Sequence, residues 1–213
     1  MTRQLSPAPG RPLRRTAQLG GGLVLFGLSI ALLVRAGLGL PSWDVLHQGL
    51  ARSTGLPFGW VVNGVGALVL LAWIPLRERP GPGTVANVVV VGFVADTGLH
   101  VLPVPPDGAW AARTALLLLG IAVNALATGL YIGAGLGPGP RDGLMTGLAR
   151  RGHSVRVVRT ALELAVTAAG WLLGGTVGAG TVLFALAIGP LAQWTLRVFS
   201  LAPTPPTLEG RVR

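Results

Sequence analysis

The sequence predicts an all-α membrane protein in which about six transmembrane helices form two inverted-topology repeats. Three observations carry this expectation. Hydrophobic residues make up 51% of the 213-residue chain and charged residues 11%, too little polar surface to cover a soluble domain of that size. Apolar stretches of membrane-spanning length recur along the chain. A glycine-rich segment after the first stretch also returns, nearly unchanged, after the fourth.

The charge supports the membrane reading. The formal net charge of +10 would suggest nucleic acid in a soluble protein, but all 17 basic residues are Arg and most fall between apolar stretches. That pattern records topology and not a nucleic-acid footprint. The chain has neither Cys nor Lys, which excludes disulfides, thiolate metal sites, thiol nucleophiles and lysine Schiff bases.

Spans are expected near residues 19–34, 58–76, 85–102, 115–134, 157–174 and 181–201. Residues 1–18 hold four Arg and three Pro and read as a disordered basic tail. The apolar run behind them lacks a persuasive cleavage signal, so it is expected to remain as the first span. The Pro-rich stretch 202–213 reads as a second disordered tail. With the N-terminus in the cytoplasm, fourteen Arg fall inside and only Arg35, Arg52 and Arg113 outside. This asymmetry favours an even number of spans with both termini cytoplasmic, and it puts the loop within 103–114 outside.

The duplication aligns residues 36–52 with 134–150 without a gap, ten of seventeen positions being identical, Asp44 with Asp142 and Arg52 with Arg150 among them. After a one-residue gap, Gly81, Gly83, Thr84, Val85 and Gly92 match Gly178, Gly180, Thr181, Val182 and Gly189. The repeats are therefore 19–102 and 115–201. Each holds three spans, and an odd number forces the second repeat to enter from the opposite face.

Within each duplicated segment, AGLG supplies a helix break, and a proline suits the start of a short helix, expected at 42–52 and 140–150. Asp44 and Asp142 fall in its first turn, where a carboxylate can cap free N–H groups. Helical spacing puts Asp44, Gln48 and Arg52 on one stripe, and Asp142, Thr146 and Arg150 on the equivalent one. Two placements fit: re-entrant half-helices framing a central site, or amphipathic helices at the two membrane surfaces.

Asp96, deep in the third span, costs about 2.5–3.5 kcal/mol on insertion scales unless it is paired or faces a polar cavity. With Asp44, Asp142 and Gln193 it makes up the candidate substrate or ion site, and for Asp96 an interhelical hydrogen bond to Asn63, Asn87 or Asn124 is the structural alternative. Its counterpart in the second repeat is Gln193, which would make the site asymmetric. Arg159 and Glu163, one helical turn apart, read as a structural ion pair. His47, His100 and His153 lack metal-ligand spacing and read as boundary residues. Glycines such as Gly20 to Gly22 read as helix-packing residues. No motif supports a nucleotide, metal or other cofactor.

The two AGLG…D…GLA segments, the Pro140 to Leu144 stretch, the 154–163 segment and the glycine-rich run at 173–181 resemble the YczE/YyaS/YitT family of bacterial membrane proteins. The resemblance spans roughly residues 19–201. It implies a bacterial cytoplasmic membrane and five or six helices, and it carries over no substrate or catalytic residue. Ser42-Trp43 in the first copy replaces Pro140-Arg141 of the second, which again makes any shared site asymmetric.

Inverted repeats with paired breaks suit alternating access, so the leading functional expectation is a small secondary transporter or exporter of an unidentified small molecule or ion. The other is a non-transporting membrane scaffold or accessory subunit. The chain lacks GxSxG, HExxH and a paired carboxylate arrangement, so enzymatic activity is not expected. The lipid bilayer is the expected partner, nucleic acid is not, and a homo-oligomer is left open.

Overall fold

A computed structural model describes residues 12–152 and 154–200. The expected tails at 1–11 and 202–213 and His153 lie outside the described residues. Eight helices follow one another: α1 Pro12–Ala36, α2 Ser42–Thr54, α3 Phe58–Leu76, α4 Pro82–Val101, α5 Trp110–Gly133, α6 Pro140–Ala149, α7 Val155–Leu172 and α8 Ala179–Phe199. Five of them, α1, α3, α4, α5 and α8, are long and apolar enough to cross a bilayer. The 18-residue α7 carries Arg156, Arg159 and Glu163 and is not among those five. No strand occurs among the described residues.

The first helix begins at Pro12 and not at Leu19, so residues 12–18, expected in a tail, are helical. The physical reason lies at the neighbouring helix ends. Arg15 donates to the carbonyls of Ala134 (2.8 Å) and Gly135 (3.0 Å), just past α5, and Gln18 donates to Phe199 at the end of α8 (2.7 Å). Carbonyls at a helix C-terminus lack intrahelical partners, and a cation there is favoured by the helix dipole. In the same way the expected loop at 103–114 gives up its last residues to α5, which starts at Trp110.

Several of the helix contacts come in matching pairs, although α3 packs on α4 with no comparable packing of α7 on α8. Helices α1 and α5 pack along one another, α4 lies against α1 as α8 lies against α5, and α2 packs on α7 as α6 packs on α3. The register of the duplicated segments carries one member of each pair onto the other. Gly22 of α1 faces Leu130 and Tyr131, while Gly120 of α5 faces Leu32 and Leu33. The Gly180 N–H donates to the Leu38 carbonyl (2.8 Å), and the Gly83 N–H to that of Leu136 (2.9 Å). Each AGLG break thus binds the first turn of the last helix of the other half.

The breaks themselves follow from glycine. Gly37 and Gly39 have φ of 65° and 114°, and their counterparts Gly135 and Gly137 have 65° and 127°, a region that other L-residues rarely adopt. One contact pair exchanges its volumes. Trp73 of α3 covers Gly143 of α6, whereas on the other side Gly170 of α7 sits against the backbone of Val45 and Leu46 in α2. Trp73 is buried to 2% exposure, and its indole N–H donates to the Pro140 carbonyl (2.9 Å).

Buried polar groups hold the interior together. Asn124 donates to the Ser29 hydroxyl (2.8 Å), Thr195 to the Ala125 carbonyl (2.7 Å) and Thr84 to the Pro138 carbonyl (2.7 Å). The outer faces are apolar, with Leu68, Ile74, Phe93, Leu118 and Leu186 all exposed. Mostly paired polar atoms inside, with Trp43 Nε1 among the buried exceptions, and greasy side chains outside are what a bilayer imposes, because hydrocarbon offers no hydrogen-bond partner.

Candidate functional site

Two adjoining cavities lie where the broken segments meet. The larger, ≈ 310 Å³, is lined by Pro41, Ser42 and Trp43 from the start of α2, by Arg141, Asp142 and Met145 from α6, and by residues of α5, α7 and α8. The smaller, ≈ 60 Å³, is lined by Trp43, Asp44, His47, Asn87 and apolar side chains. Trp43, Tyr131 and Arg141 belong to both linings. Trp43 and Arg141 occupy equivalent positions of the two copies, one of those at which the copies differ, so an indole from one half and a guanidinium from the other line both cavities.

The carboxylates of the first turns do not cap their own helices. Asp44 is buried and its Oδ1 lies 3.1 Å from His47 Nδ1. His47, expected at a boundary, is itself buried and meets the Phe58 ring edge-on at 6.3 Å. Asp142 Oδ2 accepts the Tyr131 hydroxyl (3.1 Å). Two equivalent carboxylates therefore have different partners, because position 47 corresponds to Met145 and position 131 to Leu33. The Arg141 guanidinium lies 5.4 Å from the centroid of the Phe26 ring, a cation–π distance.

The other expected site residues divide. Gln193 lines the larger cavity together with Asp142. Asp96 lines neither cavity. Its Oδ1 accepts the Gly59 N–H (2.7 Å), so the carboxylate of α4 covers the first turn of α3, where free N–H groups and the positive end of the dipole favour an anion. None of the three asparagines considered from sequence is its partner, although Asn63 works beside it by accepting the Gly92 N–H (3.0 Å). Gln48 accepts the Thr176 N–H (2.7 Å), and Arg52 donates to the Gly174 carbonyl. Both tie α2 to the connection after α7. Thr146 donates to the Gly143 carbonyl (3.1 Å), and Arg150 pairs with Glu78 (2.9 Å). Arg159 and Glu163 form an ion pair (2.9 Å) and both line the larger cavity.

Tyr131 was not singled out from sequence, His47 was read there as a boundary residue, and Arg141 was noted only as a difference between the copies. Two signals were available: Tyr131 is the only tyrosine in the chain, and residues 40–43 and 138–141 are the longest run over which the copies diverge. Among the described residues no group of three or more His, Asp or Glu side chains comes together as a metal ion would require.

Buried polar pairing, apolar outer faces and five bilayer-length helices define a polytopic α-helical membrane protein. The chain belongs to a family of unknown function, DUF6198, whose profile matches residues 13–197. It is similar to the uncharacterized membrane protein YczE of Bacillus subtilis, 33% identical over 187 residues and 86% of each chain, in line with the YczE-like resemblance of its motifs. It is also 41% identical over 187 residues, and 85% of each chain, to an uncharacterized protein of Haemophilus influenzae. No solved structure matches.

Proposed function

We propose that the protein is a small secondary transporter of the bacterial cytoplasmic membrane that carries a small solute through the larger cavity. The observation that carries this reading is the convergence of the first turns of α2 and α6, one from each half, on a single cavity lined by Arg141, Asp142, Arg159 and Glu163. Discontinuous helices whose N-termini meet at a central site are a recurring device of alternating-access carriers. In this reading the halves are inverted repeats, α7 is the sixth span, and α2 and α6 are re-entrant. The reciprocal Leu38–Gly180 and Leu136–Gly83 bonds support the two-fold relation, and three spans per half would turn its axis into the membrane plane. For α7, pairing of Arg159 with Glu163 lowers the cost of insertion.

The reading makes the protein a carrier without a chemical step. Asp44 contacts His47 as the orienting carboxylate of a triad would, but no hydroxyl among the described residues hydrogen-bonds to His47.

Two measurements test this proposal. Purified protein in lipid vesicles, screened with radiolabelled solutes of different charge class, should give saturable counterflow with at least one class. A preparation that unfolds cooperatively yet moves none would leave the scaffold reading in its place. Orientation is accessible because the chain has no native cysteine. In intact cells, Asp107→Cys should react with a membrane-impermeant maleimide and Ser154→Cys should not, both positions being exposed. The reverse pattern would invert the proposed topology.

A further inference from the structure

We infer that the larger cavity binds a small zwitterion with an apolar side, such as an apolar α-amino acid, its carboxylate on Arg141 and its ammonium on Asp142. This rests on the carrier reading of the same cavity and names its substrate class.

Arg141 is the unspent cation of the site. The ion pairs among the described residues are His47–Asp44, Arg113–Asp107, Arg150–Glu78 and Arg159–Glu163, and Arg141 is in none. Its nitrogens make no hydrogen bond among the described residues, nor do they count among the occluded, unpartnered atoms. The guanidinium carbon lies over the Phe26 ring, 5.4 Å from its centroid, and the residue lines the larger cavity with its N–H edge unpartnered among the described residues. That edge matches a carboxylate in a two-point fork. The N-terminal first turns of α2 and α6 at the same cavity add positive potential where the anionic group would sit.

The opposite charge is supplied one residue away. Asp142 gives Oδ2 to Tyr131, while its Oδ1 makes no hydrogen bond among the described residues and is not occluded. Consecutive residues of a helix point about 100° apart, so Arg141 and Asp142 present separate charges to one cavity without neutralising one another. Arg159 and Glu163 already cancel as a pair. The charges left over are one positive and one negative. A purely anionic or cationic ligand would leave one of them without a counter-charge in a low-dielectric site, which is unfavourable. A zwitterion leaves neither. Met145, Phe184 and Ile188 supply an apolar lining, and ≈ 310 Å³ lies near the lower end of ligand pockets, which run from about 300 to 1,000 Å³.

The test uses three probes that share the isobutyl group: leucine, 4-methylpentanoate, which lacks the ammonium, and 3-methylbutylamine, which lacks the carboxylate. Their binding to the full-length protein in detergent or nanodiscs is measured by titration calorimetry, with valine, methionine and phenylalanine as further zwitterions. At least one of the four amino acids should bind, and for leucine each single-charge analogue should bind at least about tenfold more weakly. Arg141→Gln should abolish that advantage over the amine, and Asp142→Asn the advantage over the acid. Should either variant fail to fold, the probe series on the native protein decides alone. Binding of 4-methylpentanoate as tight as that of leucine would overturn the inference in favour of a simple anion site. Absence of binding by all four amino acids would overturn it outright. Failure of the carrier reading looks different: zwitterions would bind with this charge dependence, but vesicles would show no flux.

Discussion

Trp73→Ala should destabilise the protein by about 3–5 kcal/mol, the cost of emptying a large buried aromatic site. The side chain is 2% exposed, covers Gly143 and donates to the Pro140 carbonyl, so its loss removes both the wedge and the polar tie that hold the start of α6 on α3. The effect should reach the larger cavity, because Arg141 and Asp142 directly follow Pro140. Reversible unfolding in mixed micelles would measure it, with Trp60→Ala as the control: Trp60 is 73% exposed, and its replacement should shift stability by less than about 0.5 kcal/mol. A loss below about 1 kcal/mol for Trp73→Ala would mean that α6 is not held by this contact.

Gly59→Val should be the other severe substitution, costing about 1–3 kcal/mol or more by overpacking. A Cβ there would overlap the Gly92 carbonyl of α4 and stand 2.7 Å from the Asp96 carboxyl carbon. The two helices are clasped by exchanged side-chain bonds, Asp96 to the Gly59 N–H and Asn63 to the Gly92 N–H, and the clasp needs both backbones bare. Asp96→Ala removes one bond and should cost about 1–2 kcal/mol, the usual loss of a helix-start acceptor. Asp96→Asn keeps an acceptor oxygen and should cost less. The same variants separate structure from transport: once a transported solute is in hand, full flux by a well-folded Asp96→Asn protein would assign Asp96 to the clasp. Loss of coupled flux at native stability would assign it to coupling instead.

The placement of these groups shows where sequence reasoning reached and where it stopped. Asp96 drew notice because a carboxylate in an apolar stretch needs a partner, and that need is a property of the residue and its surroundings in sequence. The partner, a backbone N–H at the start of α3, has no side-chain signature. Arg150 shows the same limit. Its helical stripe with Asp142 and Thr146 was legible from spacing, but its counter-charge, Glu78, comes from the connection between α3 and α4, far away in the chain.

What the sequence by itself determined is whatever depends on composition and local order. Apolar content settled that the chain enters a bilayer, because hydrocarbon tolerates little else. Run lengths placed the helices, the span expected at 58–76 coinciding with α3. The positive-φ glycines of AGLG placed the two breaks. The tertiary structure alone decided which groups face one another. Equivalent residues of the two copies acquired different neighbours, Asp44 turning to His47 and Asp142 to Tyr131. Only packing brought Arg141 over Phe26 and left its N–H edge unpartnered among the described residues. The physical reason is range: helix breaks and membrane insertion are fixed by neighbours in sequence, whereas a cavity's charge pattern is the sum over several helices of which side chains have already found partners.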